Sequence, residues 1–185
     1  MVNHQVDLPE VTATSRRRLL ASLLAGGAAV AAAPLLAGRA SAEGLDLPRD
    51  PKDFPALNNA LKRERQMTAT YAAAVAQSSG DEKAAWTLLH DHHDAYVGAI
   101  KGYLGTDAVK STEGPLGSAA GSFEQVAAQM ASLEDQTAAI HTDILSTLNG
   151  LDAAKLVASI ITIEARHAAA LAFVGGATPL AAAGA

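Results

Sequence analysis

Two turn signals, Ser78-Ser79-Gly80 and Asn149-Gly150, each sit between two long stretches whose apolar residues recur every three or four positions. A three-to-four period is that of a helix with one buried face, and glycine or asparagine past its end is a common stop. The chain is therefore expected to fold as four helices in two hairpins, and no apolar-polar alternation competes for a strand. Asp53 with Pro55 opens the first helix, which runs to about Gln77, and the second starts near Asp81. Ser122 with Gln125 reads as a capping box for the third, which ends near Leu148; Asp152 caps the fourth, which stops at Gly175-Gly176. At 1.5 Å per residue the helices are about 33 to 40 Å long. The 17 residues from Gly105 to Gly121, rich in Gly, Ser and Thr, link the hairpins. Extended, such a linker reaches about 56 Å, enough to run the length of a bundle. The expectation is an all-α four-helix bundle with one long crossover between helices 2 and 3.

Each otherwise apolar face carries a ligand-type residue near its middle: Glu64 on the first (with Leu57, Leu61, Thr68, Tyr71, Val75), His90 and His93 on the second (with Trp86, Val97, Ile100, Leu104), Glu134 on the third (with Phe123, Met130, Thr137, His141, Ile144), and Glu164 and His167 on the fourth (with Leu156, Ile160, Ile163, Leu171, Val174). Glu64 lies 16 residues before Gly80 and His93 13 after it; Glu134 lies 16 before Gly150 and Glu164 14 after it. Antiparallel hairpins bring these residues to one level. A buried carboxylate needs a compensating neighbour, so Glu164 must face a proton, a histidinium or a metal ion. The chain has no cysteine, which excludes disulfides and thiolate ligands and leaves imidazole and carboxylate, a donor set that suits iron, manganese, zinc and copper. His141 reads as a core histidine or a partner of a ligand. Asp91, His92 and Asp94 read as solvated, Arg63, Arg65 and Arg166 as surface charges, and Tyr71, Trp86 and Met130 as core packing.

The N-terminus has a different composition. Ser15-Arg16-Arg17-Arg18-Leu19-Leu20 precedes an Ala-rich apolar run to Ala37, and Ala40-Ser41-Ala42 fits a small-residue cleavage site. Residues 1–42 are thus expected to be an export signal, its paired arginines resembling those read by the twin-arginine machinery, with cleavage near Ala42 leaving a periplasmic, cell-envelope or secreted protein with no stable membrane span. Residues 43–52 form a polar lead-in, 53–176 the bundle and 177–185 a C-terminal tail. The full chain of 185 residues carries a net charge of −5, and loss of the leader, which holds Arg16, Arg17, Arg18 and Arg39 against Asp7 and Glu10, makes it more acidic. An acidic domain without a basic patch is not expected to bind nucleic acid or anionic lipid.

The mature chain resembles the ferritin-like family on Leu57-Asn58-Asn59-Ala60-Leu61 leading to Glu64, His90-Asp91-His92-His93, and Ile163-Glu164-Ala165-Arg166-His167. In particular it is similar to small exported bacterial ferritin-like domains. The resemblance implies a pair of metal ions held by a Glu from each of two helices and Glu-x-x-His from each of the other two. It maps the lone carboxylates onto Glu64 and Glu134 and one Glu-x-x-His onto Glu164 and His167. The other falls on His90-x-x-His93, where histidine stands in place of glutamate. The resulting metal set, Glu64, His90, His93, Glu134, Glu164 and His167, holds three Glu and three His and is open to one ion or two. With iron or manganese the implied chemistry is redox, on iron, oxygen or peroxide. The competing expectation is a metal-free bundle acting as an envelope or secreted interaction protein. A homodimer is compatible with either.

Overall fold

The computed structural model describes residues 49–177; the export signal expected at 1–42, most of the polar lead-in expected at 43–52 and nearly all of the expected C-terminal tail lie outside the described residues. Four long helices account for most of them: α1 (Phe54–Gln77), α2 (Gly80–Leu104), α3 (Phe123–Thr147) and α4 (Leu151–Val174). No strand occurs among the described residues. This is the expected all-α bundle with its long crossover between α2 and α3.

The helix starts show how local chemistry fixes each end. Ser122 caps α3 with the reciprocal pair expected from sequence: its hydroxyl accepts from the Gln125 N–H while the Gln125 side chain accepts from the Ser122 N–H. Asp53 precedes α1 but does not cap it with its side chain. Its buried carboxylate instead accepts from the backbone N–H groups of Asn149 (2.8 Å) and Gly150 (2.8 Å) and from the Asn149 side chain. These bonds hold the carboxyl below its ordinary range against the upward push of burial. Asp53 thus ties the start of α1 to the α3–α4 turn. A side chain at residue 150 would have no room, since a Cβ there would lie 2.9 Å from Asp53 Oδ2. Asp152 falls within the first turn of α4 rather than at its cap, which is Gly150; an acid there still favours the positive helix end.

Each hairpin packs tightly on itself, α1 on α2 and α3 on α4, and the hairpins meet along α1–α3 and α2–α4. The crossover climbs the outside of α1. Asn58 donates to the Asp107 carbonyl and accepts from the Val109 N–H, Arg65 donates to the Val109 carbonyl and the Ser111 hydroxyl, and Thr70 accepts from the Leu116 N–H. Arg65 is therefore a crossover anchor, not a plain surface charge. The chain delivers α3 to the far end of the bundle, so α3 runs antiparallel to α1.

Two apolar cores result. One, around Leu57, Leu61, Ile100, Leu104, Ile144 and Val157, lies at the Asp53 end. The other, around Met67, Tyr71, Trp86, Phe123, Met130 and Leu171, lies at the opposite end. Each large side chain sequestered there contributes about 1.5–3 kcal/mol. At the second end Gly175 approaches α3 so closely that a Cβ would sit 2.9 Å from the Ala128 backbone. α4 is long and apolar enough to cross a membrane, yet it packs inside the bundle against α3 and α2. Between the two cores lies a polar layer.

Candidate metal centre

The layer is built from six wholly buried side chains: Glu64 on α1, His93 on α2, Glu134 and His141 on α3, and Glu164 and His167 on α4. They form two groups whose ligand-type atoms lie within 4.8 Å of one another: His93, Glu134 and His167, and Glu64, His141 and Glu164. The fold brings Glu64, His93, Glu134, Glu164 and His167 together, as the spacing from the two turns requires. It does not bring in His90. That side chain is 31% exposed and pairs with its neighbour Asp91 at 3.0 Å.

The place of His90 at the edge has a simple cause. On α2 the steps of three and four can be taken along Trp86, His90, His93, Val97 or along Trp86, Leu89, His93, Tyr96. The helix is rolled toward the second stripe, burying Ala85, Leu89, Tyr96 and Tyr103 and leaving His90 and Val97 at the edge. Burying leucine and two tyrosines in place of histidine and valine removes more apolar surface from water. The same roll carries His92, expected to be solvated, over the layer, where its Nδ1 lies 2.9 Å from His167 Nε2.

His141 takes the third imidazole position. Its Nδ1 bonds Glu164 Oε2 at 3.0 Å and its Nε2 lies 3.5 Å from Glu64 Oε1. It lies two turns below Glu134 on α3, and the polar layer is thick enough along the axis to include both, because Glu164 and His167 are themselves a turn apart on α4. The signal was available in sequence: His141 occupies the same apolar face as Glu134.

The groups also differ in protonation. His93 presents Nδ1 to Glu64 Oε2 at 2.7 Å and Nε2 to Glu134 Oε1 at 3.1 Å, so both ring nitrogens donate and the ring is a cation. Burial works against that charge, but the two carboxylates overcome it and hold His93 well above the ordinary histidine range. His141 is raised too, burial again being outweighed by Glu164 and Glu64. Glu134 accepts from the Tyr71 hydroxyl at 2.5 Å; burial pushes it up, but the His93 cation outweighs this and keeps it below the ordinary carboxylate range. Glu64 is also lowered, His93 overcoming its burial. Glu164 goes the other way: burial pushes it up to about 7, with the His141 hydrogen bond opposing and the Glu64 charge adding. The Tyr71 phenol is raised well above its ordinary value by burial and by Glu134, so it remains a donor. Arg63 flanks the layer from α1, donating to the Thr137 hydroxyl at 2.8 Å and the Leu133 carbonyl at 3.3 Å, and is half-buried rather than a free surface charge.

Whether these residues suit a metal can be judged from what they leave unsatisfied. Glu64 Oε1, Glu134 Oε2, Glu164 Oε1, His141 Nε2 and His167 Nδ1 are all buried without a hydrogen-bond partner. Most buried polar atoms in folded proteins are paired, and each orphan costs about 1–3 kcal/mol. Five such atoms in one layer, all of ligand type, fit a group that bonds to lone pairs. Protons now on His93 and His141 would be exchanged for the ion's charge, since metal ligation requires neutral imidazole.

The chain belongs to the ferritin-like domain family, whose model matches residues 52–176. No curated protein and no solved structure matched the chain. It is a ferritin-like four-helix bundle with buried His and Glu groups that could hold metal.

Proposed function

We propose that the bundle binds one or two transition-metal ions, through His93, Glu134 and His167 and through Glu64, His141 and Glu164, and that it does so after export. The observation that carries the reading is the set of five ligand-type atoms without a hydrogen bond in a layer closed above and below by apolar cores. Iron or manganese held there would supply redox chemistry toward oxygen, peroxide or ferrous iron, whereas zinc or copper would make the domain a binding protein. The protein's own part is to present carboxylates that offset the cation's charge, to hold the imidazoles in fixed rings, and to exclude bulk water. Tyr71 donates to Glu134 Oε1 and leaves the lone pairs of Oε2 free for an ion.

The test compares thermal unfolding of residues 43–185 with and without each metal. Wild type should gain stability from at least one of iron, manganese, zinc and copper, and Glu134→Gln or Glu164→Gln should lose that gain. Equal behaviour with and without every metal removes the reading. Ferrous oxidation and peroxide consumption by the loaded protein test the redox part separately. Export is supported by Arg16-Arg17, the apolar run and Ala40-Ser41-Ala42. Fusing residues 1–42 to a folded reporter should export it with cleavage after Ala42, and replacing Arg16 and Arg17 by Lys should stop that.

A metal-free structural role is favoured by one feature, the His93 ring that bridges one oxygen each of Glu64 and Glu134. It predicts an intact bundle that takes up nothing.

A further inference from the structure

His92 is half-buried, lies outside both ligand groups, and touches one of them. Its ring and that of His167 are parallel within 6°, with centroids 5.1 Å apart and His92 Nδ1 2.9 Å from His167 Nε2. That centroid separation matches the N···N distance plus the two ring radii, so the rings meet edge to edge in nearly one plane. This is the geometry of an N–H···N hydrogen bond, and one ring must supply the lone pair.

The inner side of His167 decides which. Its Nδ1 lies 3.3 Å from Glu134 Oε1, yet no hydrogen bond joins them, so a proton on Nδ1 would be aimed badly. Glu134 Oε1 is already engaged by Tyr71 and by His93. A proton on Nε2, by contrast, points straight at His92 Nδ1. We propose that His92 is the positioning residue of the centre: it accepts the Nε2–H of His167 and thereby fixes the tautomer whose Nδ1 lone pair faces Glu134 and His93. The purpose of that lone pair rests on the metal-binding reading above; the tautomer does not. Metal-ligating histidines commonly give their second N–H to an outer partner, and a neighbouring imidazole can serve as that partner. The same contact also links the buried layer to solvent, because His92 is reached from outside while His167 is not.

The test uses nitrogen-15 NMR of the His167 ring in metal-free protein, residues 43–185, at about pH 8. Wild type should show a protonated Nε2 and a bare Nδ1. His92→Phe keeps ring bulk but removes the acceptor, and should move the proton toward Nδ1 or mix the tautomers. His92→Asn puts an amide oxygen where Nδ1 was and should restore the wild-type signals. In the same series the metal dissociation constant should weaken about 10- to 100-fold in His92→Phe and recover in His92→Asn. A wild-type proton on His167 Nδ1, or signals unchanged in His92→Phe, would overturn the assignment. Wild-type protein with the expected tautomer but no metal uptake would leave the positioning intact and sink the metal reading instead.

Discussion

The two halves of the polar layer hold opposite mixtures of the same side chains, and their chemistry differs accordingly. His93, Glu134 and His167 set one carboxylate between two imidazoles, whereas Glu64, His141 and Glu164 set one imidazole between two carboxylates. Both are equally buried, so burial alone cannot explain why Glu134 is driven below the ordinary carboxylate range while Glu164 is pushed up to about 7. The difference is the company each keeps. Glu134 has a histidinium and a tyrosine hydroxyl on it, and Glu164 shares its histidine with another carboxylate. In a low-dielectric layer the count of neighbouring charges decides protonation.

That contrast is sharpest under substitution. Glu134→Gln should destabilise the metal-free protein by about 3 kcal/mol, because it leaves the His93 cation and Tyr71 facing a neutral amide. Glu164→Gln, replacing a group already close to half protonated at neutral pH, should cost about 1 kcal/mol or less. Denaturant unfolding of the two variants side by side measures the gap, and equal costs would erase the distinction between the groups.

Next in size is the pH dependence. Glu164 is raised from 4.5 to about 7, so between those values the folded protein holds the extra proton and stability falls as pH rises. His93 and His141 are raised above 6.5, so their contribution is full below 6.5 and is lost as pH climbs through their folded values. Glu134 and Asp53 are lowered from 4.5 and 3.8, and their contribution is lost only in acid. Metal-free protein should therefore be more stable near pH 5.5 than near pH 8, by up to about 1.4 kcal/mol per pH unit for each proton released. The increment from added metal should grow over the same interval, since the ion takes the deprotonated ligands. Thermal scans across that range with and without metal check both slopes.

His90→Ala, the smallest change, should alter stability by less than about 0.5 kcal/mol and leave metal affinity as it was. A large loss of affinity would mean that α2 presents its other stripe when loaded.

Legibility in the sequence followed the strength of each physical constraint. The four helices, both tight turns, the Ser122 capping box and the long crossover rest on apolar period and turn chemistry, and the fold shows them. Glu64, Glu134, Glu164 and His167 fell on faces with one apolar stripe each, so their inward direction was readable. α2 offered two stripes sharing Trp86, His93 and Ile100, and only packing against α1 and α4 chooses between Leu89 with Tyr96 and His90 with Val97. His141 shares the face of Glu134, which suits a core histidine or a partner of a ligand as well as a ligand, and only the depth of the packed layer brings it beside Glu64 and Glu164. Asp53, read as a cap for its own helix, serves a turn 96 residues away. Long-range contacts of that kind leave no local pattern.

The proposed metal site is tested most directly by elemental mass spectrometry on residues 43–185 purified without chelators. The expected result is one or two transition-metal ions per chain, reduced in His141→Ala and unchanged in His90→Ala. A folded helical protein carrying no metal above background would contradict it.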